Sequence, residues 1–528
     1  MIIPRDFFKS KVFFYAVLLI AMMVQTFPFG LQYFPFSDDW FSLGAFSFIT
    51  ENIWQDAVLH YGLHGFRPVA GLLEVYVLSW FWPNMWPVLL AVTLMRFFTI
   101  LMLDKILEKS NVTWGRVAAV FFAFFPALTE STYWLSASVR VVVGSFLSML
   151  AAYAILKFLH KQYWERGVKW LVIAIVSGFL ANGFYEQGIV FTFVLTMGVL
   201  LLHRDKIRSN LLYVWPFANL AAIIVHYIVF WNASSWLGER ADVDLNIFQQ
   251  FPRAVSMIVR VFYHEQFPTV SRAFRWGFVF LFREHLLLVI IIAILSVLLA
   301  FSVSADDTEN ENSVRSIVVA LVLSVCTLSV FFVIADSWIY VRNYYYSLIG
   351  IAIIVEIFAR LLPWRRVKCA LLGMMMFVFL SGYVLEVDSL RRIERYDSKI
   401  IAQLVDKLDG DDSDEAWLFG TRWLYSPSIN PRITSQIRMD WAATAHFRYL
   451  YTRAHGEGPS HWIIPVMNGQ AVDLDFANPN IFGIDDDLQV RRLIVVGQDI
   501  LFADSGEAFG FIEPADNGQY TFRLEMFR

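Results

Sequence analysis

The sequence predicts an α-helical polytopic membrane protein of about eleven transmembrane helices, with a small α/β domain at its C-terminal end. Three observations predict it. Hydrophobic residues make up 58% of the 528 and charged residues only 17%, where a soluble domain carries about a quarter charged. Mean hydropathy is accordingly +0.54. The apolar residues gather into runs of about 20, the length that crosses the hydrocarbon of a bilayer. Past residue 385 that pattern stops, and short apolar stretches alternate with turns in a polar sequence. The 50 Phe, 21 Tyr and 19 Trp suit a large bundle with aromatic belts at both interfaces.

Taken in order, the runs lie at 12–31, 85–103, 115–129, 139–159, 168–182, 184–202, 211–231, 285–303, 314–334, 343–362 and 367–385. The first lacks a small-residue cleavage site and reads as an uncleaved anchor. The stretch 67–82 could cross or lie along the surface, and the positive-inside rule decides between them. With 67–82 on the surface, four basic clusters fall on the side of Arg5, Lys9 and Lys11. They are Lys105/Lys109/Arg116, Lys157/Lys161/Arg166/Lys169, Arg204/Lys206/Arg208 and Arg360/Arg365/Arg366/Lys368. The expected topology follows: an inner- or plasma-membrane protein, N-terminus cytoplasmic, 67–82 an interfacial or re-entrant helix, C-terminal domain periplasmic or extracellular. The transmembrane domain is 1–385, with large external loops at about 32–84 and 232–284, and the α/β domain is 386–528. That domain opens on a charged helix at 389–408. It continues in strands such as 493–499, and Asn517-Gly518 between apolar stretches is a hairpin signal.

A net charge of −4 argues against a nucleic-acid partner. Cys326 and Cys369 fall in apolar runs and read as buried packing residues, not a disulfide or a metal pair. His60 and His64 are spaced i, i+4, but Gly62 between them weakens a shared helix face.

The informative residues are ionisable groups at span ends, where charge is costly. Asp38 and Asp39 follow the first run. Arg67 opens the surface helix. Glu130 follows the third run, Arg140 opens the fourth, Glu186 the sixth and Arg342 the tenth. Each has an ordinary explanation. Arginines at span ends snorkel, glutamates sit near positive helix N-termini, and an acid pair in a loop is solvated. Glu74 reads as the wet face of the surface helix, and Arg96 as snorkelling or paired inward. Together, however, three cations and four carboxylates share the predicted external stratum. A lipid-phosphate sugar donor needs such a set. Its departing phosphate calls for guanidinium forks, and the acceptor hydroxyl calls for a carboxylate base.

At these residues the chain resembles the GT-C superfamily of membrane glycosyltransferases. It is similar above all to the protein O-mannosyltransferases that carry tetratricopeptide tails and to their bacterial relatives. Four motifs carry the resemblance, in order: Ser37-Asp38-Asp39, Phe66-Arg67-Pro68-Val69, Pro126-Ala127-Leu128-Thr129-Glu130 followed by Trp134 and Arg140, and Glu186-Gln187-Gly188-Ile189. Arg342-Asn343-Tyr344 is similar to the Arg-Tyr that opens a late span in many members. The resemblance implies a GT-C-like fold, a polyprenyl- or dolichyl-phosphate monosaccharide donor, an external site and transfer with inversion. It makes Asp38 the acceptor base, with Asp39 as the second choice. Arg67, Arg140 and Arg342 become donor-phosphate ligands, and Glu130 and Glu186 hold those cations or sugar hydroxyls. The acceptor is a surface glycan, a lipid-linked glycan or a protein. No metal is required, although Asp38/Asp39 is where a divalent ion would bind.

The chain departs from the family in three places. Tyr185 stands where a lysine usually precedes the glutamate, Arg140 lies about two residues further from Glu130 than the pattern has it, and the tail has no tetratricopeptide repeat. Two other readings compete. A polysaccharide polymerase would use an arginine-rich loop, and 232–284 holds Arg240, Arg253, Arg260, Arg272, Arg275 and Arg283. A lipid or sugar transporter would show duplicated halves and midplane charges, neither of which the sequence displays.

Overall fold

The computed structural model describes residues 10–44, 67–161, 164–207, 209–230, 246–303, 313–332, 339–362, 364–409, 415–420, 438–456, 461–466, 471–472, 480–485, 487–496, 498–514 and 520–524. His60, His64, Arg240 and Asn517 lie outside them. The chain divides into two compact units. One comprises Met1–Tyr33 and Thr50–Val387, the other Phe34–Ile49 and Asp388–Arg528.

The first unit is helical. Its helices are α1 (Lys11–Thr26), α2 (Pro68–Leu73), α3 (Trp86–Lys109), α4 (Arg116–Phe124), α5 (Leu135–Leu159), α6 (Trp164–Asn182), α7 (Glu186–Leu202), α8 (Leu211–Phe230), α9 (Ile247–Val261), α10 (Leu286–Val303), α11 (Ser313–Cys326), α12 (Leu348–Leu361) and the start of α13 (Arg365–Lys407). Each of the eleven apolar runs overlaps one of them. Among the described residues, α3, α5, α10 and α13 are long and apolar enough to cross a membrane. The protein is an integral membrane protein.

Local chemistry sets the ends. The Ser10 hydroxyl accepts from Phe13 N at 3.0 Å and caps α1. That helix stops at Thr26, short of the predicted residue 31, because Phe27 precedes Pro28 and leaves the helical region (ψ 50°). Likewise α4 ends at Phe124, since Phe125 before Pro126 is extended (ψ 121°). Pro68 occupies the first turn of α2, where its missing N–H costs nothing. Beyond α2 the helix continues as a π turn, Glu74–Leu78, and a 3₁₀ turn, Ser79–Phe81. The stretch read as a second large loop is helical where described. From α9 it runs through Phe262–Gln266, Phe267–Arg272, Ala273–Gly277 and Phe278–Glu284. Ala254 and Val261 on one face bury against Leu328, Phe331 and Ile339, an amphipathic pattern that never forms a continuous apolar run. Cys326 and Cys369 are half-buried rather than buried.

The second unit is α/β. At 43 residues, α13 is about 65 Å long, twice what a bilayer core needs. Its apolar half belongs to the first unit and its charged half to the second, with no proline between to break it. An eight-stranded sheet has the order β2-β1-β4-β5-β6-β7-β8-β3. The strands are β1 (Glu415–Phe419), β2 (Trp462–Val466), β3 (Ala471–Val472), β4 (Ile481–Ile484), β5 (Val490–Val496), β6 (Asp499–Phe502), β7 (Ala508–Pro514) and β8 (Tyr520–Leu524). Strands β2, β1 and β4 are parallel and the rest antiparallel. The hairpin foreseen at Asn517 corresponds to the β7–β8 pair, which registers Pro514 with Tyr520. A further helix, α14 (Asp440–His455), shares a core with α13 and the sheet through Ile400, Leu404, Leu418, Phe447 and Ile463. A second core gathers Trp417, Leu493, Phe502, Phe509 and Phe522.

Candidate functional site

In the first unit the three arginines at the ends of helical spans, Arg67, Arg140 and Arg342, each have a carboxylate partner. Arg67 Nε and Nη2 donate to Glu186 Oε1 and Oε2 at 2.9 and 3.1 Å. Arg140 Nε and Nη2 donate to Glu74 Oε1 and Oε2 at 2.6 and 2.7 Å. Arg342 Nη1 lies 3.2 Å from Glu130 Oε1. The first two pairs are bidentate, the geometry that suits a guanidinium fork.

Local structure aims these groups. Glu186 begins α7, where the helix dipole favours a negative charge. Arg67 caps α2 from outside, and the first N–H groups of that helix, on Val69 and Ala70, donate to Gly183 O at 3.1 Å. A Cβ on Gly183 would collide with Val69, so only glycine permits this approach. Both members of the Arg140–Glu74 pair sit in π turns, Val139–Val143 and Glu74–Leu78. Such a turn adds a residue and rotates the side chains that follow. Arg342 stands in a 3₁₀ turn, Val341–Tyr344, before α12.

Two of the pairs, Arg67–Glu186 and Arg342–Glu130, are linked through neighbouring side chains. The Arg67 guanidinium carbon lies 4.4 Å from the Tyr185 ring centre, a cation–π distance. Tyr185 Oη accepts from Asn343 Nδ2 at 2.9 Å, and Asn343 neighbours Arg342. Gln187 Nε2 donates to Asn343 O at 3.0 Å and its Oε1 accepts from Asn343 Nδ2 at 3.2 Å. Arg342 in turn lies over Trp134 and Tyr340, at 5.2 and 4.8 Å. Tyr185, which replaces the expected lysine, therefore supplies no charge but a platform for Arg67.

Two sequence readings change, and a third is decided between its alternatives. Glu74 is not the wet face of a surface helix. Its side chain is fully buried and neutralises Arg140, because an arginine 14% exposed among apolar helices needs a counter-charge. Arg140 consequently does not snorkel. Arg96 is buried too and donates to Gln25 Oε1 at 3.0 Å, so it pairs inward. Glu74, Tyr185 and Asn343 were missed as partners. One signal was available for Glu74: it follows Arg67 by seven residues, two helical turns, and so shares its face.

Asp38 and Asp39 belong to the second unit, in a turn after residue 33. Asp39 is fully buried, and its Oδ2 accepts from Phe36 N at 2.9 Å. Asp38 is half-buried, with Ser37 Oγ 3.5 Å from its Oδ1. Ser37, directly before the two acids, takes a left-handed conformation (φ 47°) that turns the chain into them. Adjacent in sequence, the acids thus differ in duty. Asp39 closes the turn, and Asp38 stays half-buried beside it.

Chemically, the first unit offers forked cations held rigidly by carboxylates. A guanidinium has five N–H donors, so two given to a carboxylate leave others for an anion. No family model matches the chain, and neither does any curated protein. Among solved structures it is similar to ArnT from Cupriavidus metallidurans bound to undecaprenyl phosphate, at 15% identity and a TM-score of 0.37 over 87% of this chain and 86% of that one.

Proposed function

We propose that this protein is a membrane glycosyltransferase that moves one sugar from a polyprenyl-phosphate donor to a hydroxyl on a surface glycan, a lipid-linked glycan or a protein, with inversion. The observation that carries this reading is the set of three ion pairs, Arg140–Glu74, Arg67–Glu186 and Arg342–Glu130, in an apolar helical unit. Part-buried guanidinium groups beside an apolar phase suit a ligand with a phosphate head and a hydrocarbon tail. Their carboxylates balance the charge and hold the guanidinium groups in orientation. In the proposed reaction the acceptor oxygen attacks the anomeric carbon and its proton passes to Asp38. The bond from that carbon to the phosphate oxygen breaks, and polyprenyl phosphate leaves with its charge held by the arginines. No metal takes part, since the guanidinium groups supply the positive charge. The N-terminus is cytoplasmic, and the C-terminal domain is periplasmic or extracellular, on an inner or plasma membrane.

The test is transfer from a purified polyprenyl-phosphate sugar into acceptors from the same envelope. Asp38→Asn should lower the rate by about 10²–10⁴-fold, the usual weight of a general base. Full activity in both Asp38→Asn and Asp39→Asn would remove the acid pair from the chemistry. No transfer by the unaltered protein from any lipid-phosphate sugar would sink the whole reading.

A further inference from the structure

The second unit contains both the acid-pair turn and the C-terminal sheet domain, and the contacts between them are specific. The Trp40 indole, directly after Asp39, stacks on the His446 imidazole with ring centres 3.6 Å apart and planes 13° from parallel. Tyr449 flanks the same indole at 5.6 Å. Ser37 Oγ lies 3.4 Å from Met439 Sδ. All three partners come from α14 or its N-terminal cap, and His446 and Tyr449 are three residues apart on one face. The other face of α14, with Ala443 and Phe447, belongs to the sheet core. Behind His446 stands α13: Ser398 Oγ is 3.3 Å from His446 Nε2 and donates to Glu394 at 3.0 Å. Trp40, His446 and Tyr449 are all buried, at 4%, 1% and 6% exposure.

Within the turn, Asp39 N donates to Phe36 O, Trp40 N to Ser37 O and Phe36 N to the Asp39 carboxylate. Ser37 sits in a conformation that costs a non-glycine residue about 1 kcal/mol or more. The clamped indole offsets that cost.

We infer that the C-terminal domain is the positioning device for the acid pair: α14, through Met439, His446 and Tyr449, grips Trp40 and the Ser37 turn, seating Asp39 inward and presenting Asp38. His446 and Trp40 are therefore positioning residues, and this inference rests on the reading of Asp38 as the base. It gives the tail a role in the reaction that needs no acceptor-binding site of its own.

Hydrogen exchange and transfer kinetics on the full-length protein in nanodiscs test it. In Trp40→Leu and His446→Ala, exchange over residues 34–44 should rise about tenfold or more, while β4–β8 stay protected. In the same variants kcat should fall about tenfold or more with donor KM within about twofold, as expected when a base is misplaced but the donor is bound unchanged. Trp40→Phe and His446→Phe, which keep an aromatic stack, should recover most of both. Should His446→Ala unfold the sheet, Trp40→Leu decides, because it leaves α14 intact. Unchanged protection of 34–44 in Trp40→Leu would overturn the clamp even if activity fell. The two readings separate cleanly. Loss of protection together with full activity in Asp38→Asn keeps the clamp and removes the base, whereas unchanged protection with an inactive Asp38→Asn keeps the base and removes the clamp.

Discussion

The two units hold their chemistry-bearing residues by different means. In the apolar unit, carboxylates hold the arginines: Arg67, Arg140 and Arg342 each face a glutamate. In the polar unit, an aromatic stack and backbone bonds hold the acid pair, through Trp40 on His446 and Phe36 N on Asp39. The difference follows from the surroundings. A cation among apolar helices must be neutralised, and breaking such a pair strands the survivor at a cost of several kcal/mol. In a unit with ordinary access to water, a half-buried carboxylate such as Asp38 keeps part of its hydration and needs only to be aimed.

Within the apolar unit the pairs also differ among themselves. Arg140–Glu74 is bidentate with a fully buried carboxylate, whereas Arg342–Glu130 has one contact at 3.2 Å, with Arg342 also lying between two aromatic rings. The first looks inward and fastens the 67–81 helix to α5. The second is the looser pair, and the one a phosphate can most readily join.

The sharpest way to break this contrast is Glu74→Ala. Removing a fully buried partner should destabilise the protein by about 3–5 kcal/mol, read as a fall in melting temperature in detergent. Glu74→Gln combined with Arg140→Gln should recover much of the loss. An unchanged melt in Glu74→Ala would show that the pair fastens nothing. Next, Arg342→Ala should raise the donor KM by about 10–100-fold, since it loses charge-assisted bonds to a ligand, with a smaller fall in melting than Glu74→Ala because Arg342–Glu130 has one contact rather than two. Unchanged donor dependence would remove Arg342 from the site.

A pH scan probes the other unit. Burial pushes the His446 imidazole down to about 3, below its ordinary value near 6.5. The folded protein therefore keeps it neutral while the unfolded chain takes up a proton, so stability present above pH 6.5 is lost as pH falls toward 3. Between pH 7 and pH 5 the loss should be about 2 kcal/mol. His446→Phe, which keeps the stack and cannot titrate, should remove that part of the pH dependence, and identical melting curves for the two proteins across this range would refute the assignment. The smallest effect should come from Arg67→Lys. It keeps the charge and loses the fork to Glu186, costing about tenfold in kcat/KM. A loss as large as in Arg342→Ala would mean that Arg67, not Arg342, is the main phosphate ligand.

Much of this was legible in the chain. The apolar runs were readable and each overlaps a helix, but the runs drawn to residues 31 and 129 passed the stops that Pro28 and Pro126 impose. The β7–β8 hairpin was readable from Asn517-Gly518, a local turn signal. The individual arginines and glutamates stood out because charge is rare at the ends of apolar runs. The helical stretch from α9 onward was not readable as such, since its apolar residues are spaced rather than contiguous. Nor was the burial of Glu74, which depends on what α5 brings against it.

What the sequence determined by itself is therefore the class of protein, the approximate places of its apolar helices, and the residue types on offer for phosphate and acid–base chemistry. These depend on hydropathy and composition, which are local. Tertiary structure alone decided the partnerships: Glu74 with Arg140 across 66 residues, Glu186 with Arg67 across 119, and Ser37 beside Met439 across 402. The reason is that desolvation and counter-charge are properties of a neighbourhood in space, and no local pattern in the chain encodes which distant segment will arrive to supply them.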